Sequence, residues 1–341
     1  MTDEQPAPPV PDPAQVRQIK EFKHNRPLFA CRIDRTGRFA FTGAQDNLVV
    51  RWELDGDKKL EFAGQESWVR GMAFQPAGDL LASGDYAGRL CAWRWAADAA
   101  APPVYSVAAH QGWLRAVAAS PDGATFATCG NDRFVRLWNA ADGKLLRELA
   151  GHESHVYNVA FHPGGGQLAS CDLKGVVKHW DLSSGAAVRQ LDGSVLWKYD
   201  AGFHADIGGA RGMAFSGDGA WLACAGVTEV TNAFAGVGNA AVALFDWVTG
   251  ERKQVLRPKD NFQGVAWSVA FHPAGFIAVV AGGQHGGALW FFRLDQPNPF
   301  FAFKLPADAR DLALHPDGLR LAIAHSDGAL RLYDISPKPA A

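Results

Sequence analysis

With 341 residues, 48% of them hydrophobic and 20% charged, the chain has the composition of a globular protein with a large core. Its formal net charge of −2 leaves no global field to favour nucleic acid or an anionic membrane surface. No apolar run approaches the ~18 residues of a membrane span, and the acidic, proline-rich start has neither a basic nor an apolar leader region, so no secretory signal is expected.

Residues 1–14 carry prolines at 6, 8, 9, 11 and 13 and are expected to form a disordered tail. The run 16–22 that follows has no neighbouring runs to pair with locally. The five cysteines, Cys31, Cys91, Cys129, Cys171 and Cys224, lie in or beside apolar runs, and none forms a C-x-x-C. An odd number of strand-like cysteines argues for reduced thiols and a cytoplasmic setting.

The clearest pattern spans residues 110–139. Two apolar runs flank Ser120-Pro121-Asp122-Gly123, and Gly130-Asn131-Asp132 leads into a third run ending at Trp138. Alternating apolar residues bounded by such turns predict three short antiparallel strands. The figure recurs along the chain. The last apolar residue before each first turn is Ile33, Phe74, Ala119, Phe161, Phe215, Phe271 or Leu314. The aromatic closing each third run is Trp52, Trp93, Trp138, Trp180, Phe245, Phe292 or Tyr333. The two landmarks stand 19 residues apart in five of the seven units, 30 in the fifth and 21 in the sixth. A period of roughly 40–45 residues with four strands per unit is that of propeller blades.

From about residue 15 to 335 the chain resembles a seven-bladed WD40-repeat β-propeller. Gly151-His152 and Trp180-Asp181 are the family marks, with Trp138-Asn139 close to the second. The alanine- and glycine-rich usage matches a GC-rich bacterial genome. The resemblance implies an all-β fold with four antiparallel strands per blade, in one domain over residues 15–336, and a short tail at 337–341. The seventh unit stops after three strands, so the run 16–22 is expected to complete it and close the ring, which removes exposed sheet edges.

In the third unit His110, Thr128, Asp132 and Trp138 have the components of a hydrolytic triad. No nucleophile-elbow motif surrounds Thr128. In the WD40 family these positions form a buried hydrogen-bond chain instead, and that structural role is expected here. Blade 1 offers His24, Thr42, Asp46 and Trp52. Blade 4 offers His152, Ser170 and Trp180, with Lys174 where the acid would stand. Blade 2 offers Gln65, Ser83 and Trp93, with Ala87 at the acid position and Asp85 as a substitute. The pairs His162-Pro163, His272-Pro273 and His315-Pro316 occupy equivalent first turns, too far apart to share a metal at the roughly 2 Å that zinc needs.

Four residues before each first landmark stand Phe29, Arg70, Arg115, Tyr157, Arg211, Trp267 and Arg310. In the family this register faces the mouth of the central channel, where partner peptides commonly dock, and Trp68 and Trp113 lie beside it. Arginines and aromatics favour an acidic or aromatic segment; the alternative is that the arginines pair internally with Asp206 or Asp308. About 12 residues are inserted near 192–206, including Trp197, Tyr199 and Phe203. About 11 more are inserted in 227–239, around Phe234. Family topology puts both on the face of the ring. Such loops are often functional, although these could instead pack on each other and brace the blade.

The expected function is a non-catalytic scaffold that binds a protein or peptide through the channel mouth and the blade-5 loops. No cofactor or metal is called for, because no phosphate cradle, H-E-x-x-H or converged acid–base set is present. Gly236-Val237-Gly238-Asn239-Ala240-Ala241 matches a dinucleotide fingerprint by letter only. Two competing readings are a metal-dependent, lactonase-like propeller hydrolase and a nucleic-acid binder. Arginines and aromatics in the channel register weigh against the first, and the neutral net charge against the second.

Overall fold

The computed structural model describes residues 10–232, 237–260, 262–283 and 286–338. The turn chemistry of the third unit sets the pattern. Asp122 accepts hydrogen bonds from the Ser120 hydroxyl and the Ala124 N–H, and Gly123 takes φ 72°, a left-handed conformation that favours glycine. The strands Leu114–Ala119, Thr125–Gly130, Val135–Asn139 and Leu145–Leu149 follow in meander order. Seven such four-stranded antiparallel sheets form the ring, with one extra two-stranded sheet in the fifth unit. Two 3₁₀ turns, Pro13–Gln15 and Ser194–Leu196, are the only helical elements among the described residues. No helix there is long and apolar enough to cross a membrane.

The ring closes as the missing strand requires. Arg17–Lys23 pairs antiparallel with Ala329–Asp334, and Arg17 sits opposite Asp334, with their side chains paired at 2.5 Å. The seventh blade is thereby completed by the start of the chain. Of the expected tail 1–14, residues 1–9 lie outside the described residues. Further along, Asp12 caps the 3₁₀ turn through the Ala14 N–H and donates its own N–H to the Ile335 carbonyl at 2.6 Å.

Burial falls off from the inner strands to the rim. Second strands such as Phe39–Ala44 are buried throughout, whereas outer strands such as Leu145–Leu149 are mostly exposed. The core consists of seven clusters, one between each pair of neighbouring blades, so no blade-to-blade contact lacks an apolar filling. All five cysteines are free and buried.

Each brace follows from which groups can donate. In blade 3 the Trp138 indole N–H donates to Thr128 Oγ1 at 2.8 Å, and Thr128 Oγ1 lies 2.7 Å from His110 Nε2. His110 Nδ1 is 2.8 Å from Asp132. Tryptophan only donates and carboxylate only accepts, so the threonine hydroxyl donates to Nε2 and Nδ1–H donates to Asp132. Blade 4 has the same chain through Trp180, Ser170 and His152, but its acid is Asp172, 2.9 Å from His152 Nδ1. This corrects the register that put Lys174 at the acid position. Asp172 lies two residues earlier, at a strand end, and still reaches the imidazole.

Blade 1 is split. His24 bonds Asp46 at 2.8 Å and Trp52 bonds Thr42 at 2.9 Å, while His24 Nδ1 is left without a partner. In blade 2, Gln65 holds Ser83 at 2.5 Å, and the Trp93 indole N–H is unpartnered. Asp85 does not substitute for the missing acid. Its carboxylate accepts four backbone N–H groups, from Glu66, Ser67, Ala87 and Arg89.

The His-Pro turns are latches between blades. His162 Nε2 donates to the Gly219 carbonyl, His272 to Gly318 and His315 to Gly37, at 3.2, 2.7 and 2.9 Å. Each acceptor lies in the next blade round the ring. His162 and His272 also accept a backbone N–H of their own turn on Nδ1, which fixes the neutral Nε2–H tautomer. Gln75 plays the same part toward Gly123 at 2.8 Å.

Candidate binding site at the channel mouth

The residues expected at the mouth are set there by a backbone irregularity. In six blades the innermost strand slips its register around one residue: Phe29, Arg70, Arg115, Tyr157, Trp267 or Arg310. A bulge leaves its residue out of the ladder and re-aims the side chain. Arg211 takes the equivalent place just ahead of Gly212–Phe215, with its N–H on the Ala225 carbonyl at 2.7 Å. All seven side chains are half-buried.

Six of them converge. The Arg115 guanidinium lies 4.2 Å from the Tyr157 ring and 4.4 Å from Trp113. Arg211 lies between Tyr157, at 4.5 Å, and Trp267, at 5.6 Å. Arg310 and Arg70 also face Trp267, at 4.6 and 5.4 Å. One indole in blade 6 is thus met by guanidiniums from blades 2, 5 and 7, and cation–π attraction partly offsets the crowding of like charge. Burial is the main cause that lowers the pKa of Arg211 and Arg310 below the usual guanidinium range, and neighbouring arginines add to it.

Phe29 turns the other way and stacks on Trp68 at 5.4 Å. The row continues through Tyr86, 6.1 Å from Trp68, to Trp113, which stacks on Tyr86 at 4.2 Å and 6°. Trp68 and Trp113 are 41% and 42% exposed, so this aromatic shelf presents ring faces to solvent. Tyr86 was not singled out from the sequence. The signal available was an aromatic in the turn after Asp85, where the corresponding turn of blade 3 has Asn131.

Internal pairing accounts for only part of the ring. Asp308 lies 3.6 Å from Arg310. Asp206 is engaged elsewhere, accepting from the Trp197 indole at 2.9 Å and lying 3.6 Å from Lys174. The polar contacts of Arg70 and Arg115 are neutral: the Phe29 carbonyl at 2.6 Å and Asn131 Oδ1 at 2.8 Å.

The first blade-5 insertion folds as a hairpin, Trp197–Asp200 against Ala205–Gly208. Its Lys198 donates to the Val230 carbonyl of the second insertion at 2.6 Å, and Leu196 is buried in the core between blades 4 and 5. The two insertions therefore do brace each other. Tyr199 and Phe203 are nevertheless exposed, at 48% and 55%. Gly209, at φ 86°, brings the base of the hairpin against the ring: a Cβ there would stand 2.8 Å from Tyr157. The second insertion extends the strands Trp221–Asn232 and Val237–Asp246, and Phe234 lies outside the described residues. No group of three or more His, Cys, Asp or Glu side chains able to hold a metal ion occurs among the described residues.

Residues 56–94, 101–139 and 143–181 match the family described as WD domain, G-beta repeat. No curated protein matches the chain. Three of the seven blades thus match this repeat, and the closed ring of seven four-stranded sheets has the arrangement of a WD40-type β-propeller.

Proposed function

We propose that the protein is a non-catalytic interaction scaffold whose channel-mouth face binds an acidic, aromatic-bearing segment of a protein partner. WD40 propellers commonly serve as protein-interaction scaffolds. The observation that carries the reading is the neighbourhood of Arg115: a cation without a carboxylate partner, beside the exposed faces of Trp113 and Trp68. Arginine and tryptophan together, half-desolvated at the centre of one face, are the composition of a binding hot spot. The exposed Tyr199 and Phe203 of the blade-5 hairpin extend the surface beyond Tyr157. The free, buried cysteines favour a reducing, cytoplasmic setting.

The test is affinity capture from the native cell with wild type and Trp113→Ala, followed by mass spectrometry. A partner retained by wild type, lost on the variant and displaced by a glutamate- and phenylalanine-rich peptide supports the reading. Identical sets of captured proteins, insensitive to that peptide, defeat it.

A further inference from the structure

Below the ring the central channel forms a cavity of about 460 Å³ that runs from the mouth toward Pro76 and Leu314 at its other end. Much of its wall is small, with Ala73, Ala116, Ala118, Ala160 and Ala313 among the lining residues. Its charges do not balance. Arg32, Arg70, Arg115 and Arg211 line it, against the single carboxylate of Asp311 among the described residues. That carboxylate is already engaged: Oδ2 accepts from Arg32 at 2.7 Å and from the Cys31 N–H at 2.9 Å, and Oδ1 accepts the Leu312 N–H. Arg70, Arg115 and Arg211 are left without an ion pair among the described residues.

Donors are also left over. Arg211 Nε, Arg310 Nε and the Trp267 indole N–H are buried and unpartnered. A buried donor with no acceptor is destabilising, and an uncompensated buried cation more so. The Arg211 and Trp267 donors, with three guanidiniums that lack an ion pair, line one cavity and are the complement of a missing acceptor. The cavity also falls within the size range of small-molecule sites, roughly 300–1,000 Å³.

We propose that the upper channel is an oxyanion-binding site, in which a phosphate or carboxylate group is held by Arg70, Arg115 and Arg211 beside Trp267. The oxyanion arrives either on a free phosphate-bearing small molecule or on a side chain of the partner segment. This rests on reading the channel mouth as the ligand-facing end of the propeller. Guanidiniums bind such groups through paired N–H donors, and the partly desolvated setting strengthens each contact.

The experiment titrates the full chain in chloride buffer with inorganic phosphate, pyrophosphate and a glutamate-rich peptide at constant ionic strength. Melting temperature and calorimetric heat are followed for wild type, Arg211→Gln, Arg115→Gln and the rim control Arg38→Gln. Wild type and the control are expected to show saturable stabilisation, on the order of 5 °C at a hundredfold excess over Kd. Both channel variants should lose it, and if Arg211→Gln does not fold, Arg115→Gln gives the same readout. A response to phosphate or pyrophosphate assigns a small-molecule source, and a response to the peptide alone assigns a side chain; both support the site. No response to any probe, or an equal response in the channel variants, overturns it. Partner capture on Trp113→Ala is scored separately, so the scaffold reading and the oxyanion site can fail independently.

Discussion

The imidazole of His315 in blade 7 donates from Nε2 to the carbonyl of Gly37 in blade 1, across 2.9 Å. This bond lies where the end of the chain meets its beginning. Gly37 takes φ 71°, and a Cβ there would come within 2.3 Å of the imidazole, so the latch needs glycine on one side and a planar donor on the other. Gln75 makes the same bond to Gly123 in blade 3. His315→Ala should therefore lower unfolding free energy by about 1–2 kcal/mol, and His315→Gln should recover most of it. Urea unfolding of the purified chain reads both, and equal stability of the three proteins would remove the latch from the account.

Trp138→Phe should destabilise the chain by roughly 1–3 kcal/mol, because it removes the donor to the buried Thr128 hydroxyl and leaves space beside Leu90 and Ala82. Thermal denaturation checks this. A melting temperature equal to that of wild type would mean that the brace contributes nothing to stability.

Blade 4 separates the two candidates for its acid. Asp172→Ala strips His152 of its acceptor and two turn N–H groups, those of Lys174 and Val176, of theirs. A loss of about 2–4 kcal/mol is expected. Lys174→Ala should stay within about 0.5 kcal/mol of wild type, as surface changes usually do. A larger loss at Lys174 than at Asp172 would reverse the assignment.

Acid should weaken the ring through His325. Its ring is fully buried beside Arg331, and burial, followed by the Arg331 charge, lowers its pKa to about 4. An unfolded histidine titrates near 6.5, so protons bind the unfolded chain first as pH falls between these values. The stabilising contribution is complete above about pH 6.5 and is lost progressively toward pH 4. The full displacement is worth up to about 3 kcal/mol. Lowered pKa values at His110 and His272, with burial as the main cause in both, act in the same direction. His325→Phe should flatten the stability profile over that window, and an unchanged slope would show that other groups set it.

On the mouth face, Trp68→Ala and Trp113→Ala should each weaken partner capture at least tenfold with melting temperature nearly unchanged, because both indoles already stand partly in solvent. Surface-immobilised binding of the captured partner reads the effect. Wild-type affinity in both variants would move the docking surface elsewhere.

The blades were legible in the sequence because their signals are local. Asp-Gly turns and closing aromatics specify each three-stranded unit, and the unfinished seventh unit foretold its closure by Arg17–Lys23. The mouth register was legible for the same reason, since one offset from the first turn picks out every bulged residue. What sequence spacing missed depends on groups meeting across space. Asp172 and Lys174 are two residues apart, and only the approach of His152 decides between them. Whether Asp206 serves Arg211 or Lys174 depends on how the inserted hairpin folds. The meeting of Arg70 with Trp267, from blades 2 and 6, depends on the width of the channel, which no single repeat encodes.

The bulge at the head of six of the seven innermost strands also bears on how such a protein changes over time. The bulged residue lies outside the ladder, so its identity is largely uncoupled from the pairing that holds the sheet together. Six such positions, each in a different blade, can therefore change with little effect on the strand pairing itself. The mouth is a seven-character word, here Phe-Arg-Arg-Tyr-Arg-Trp-Arg, and evolution or a designer can spell another without rebuilding the page.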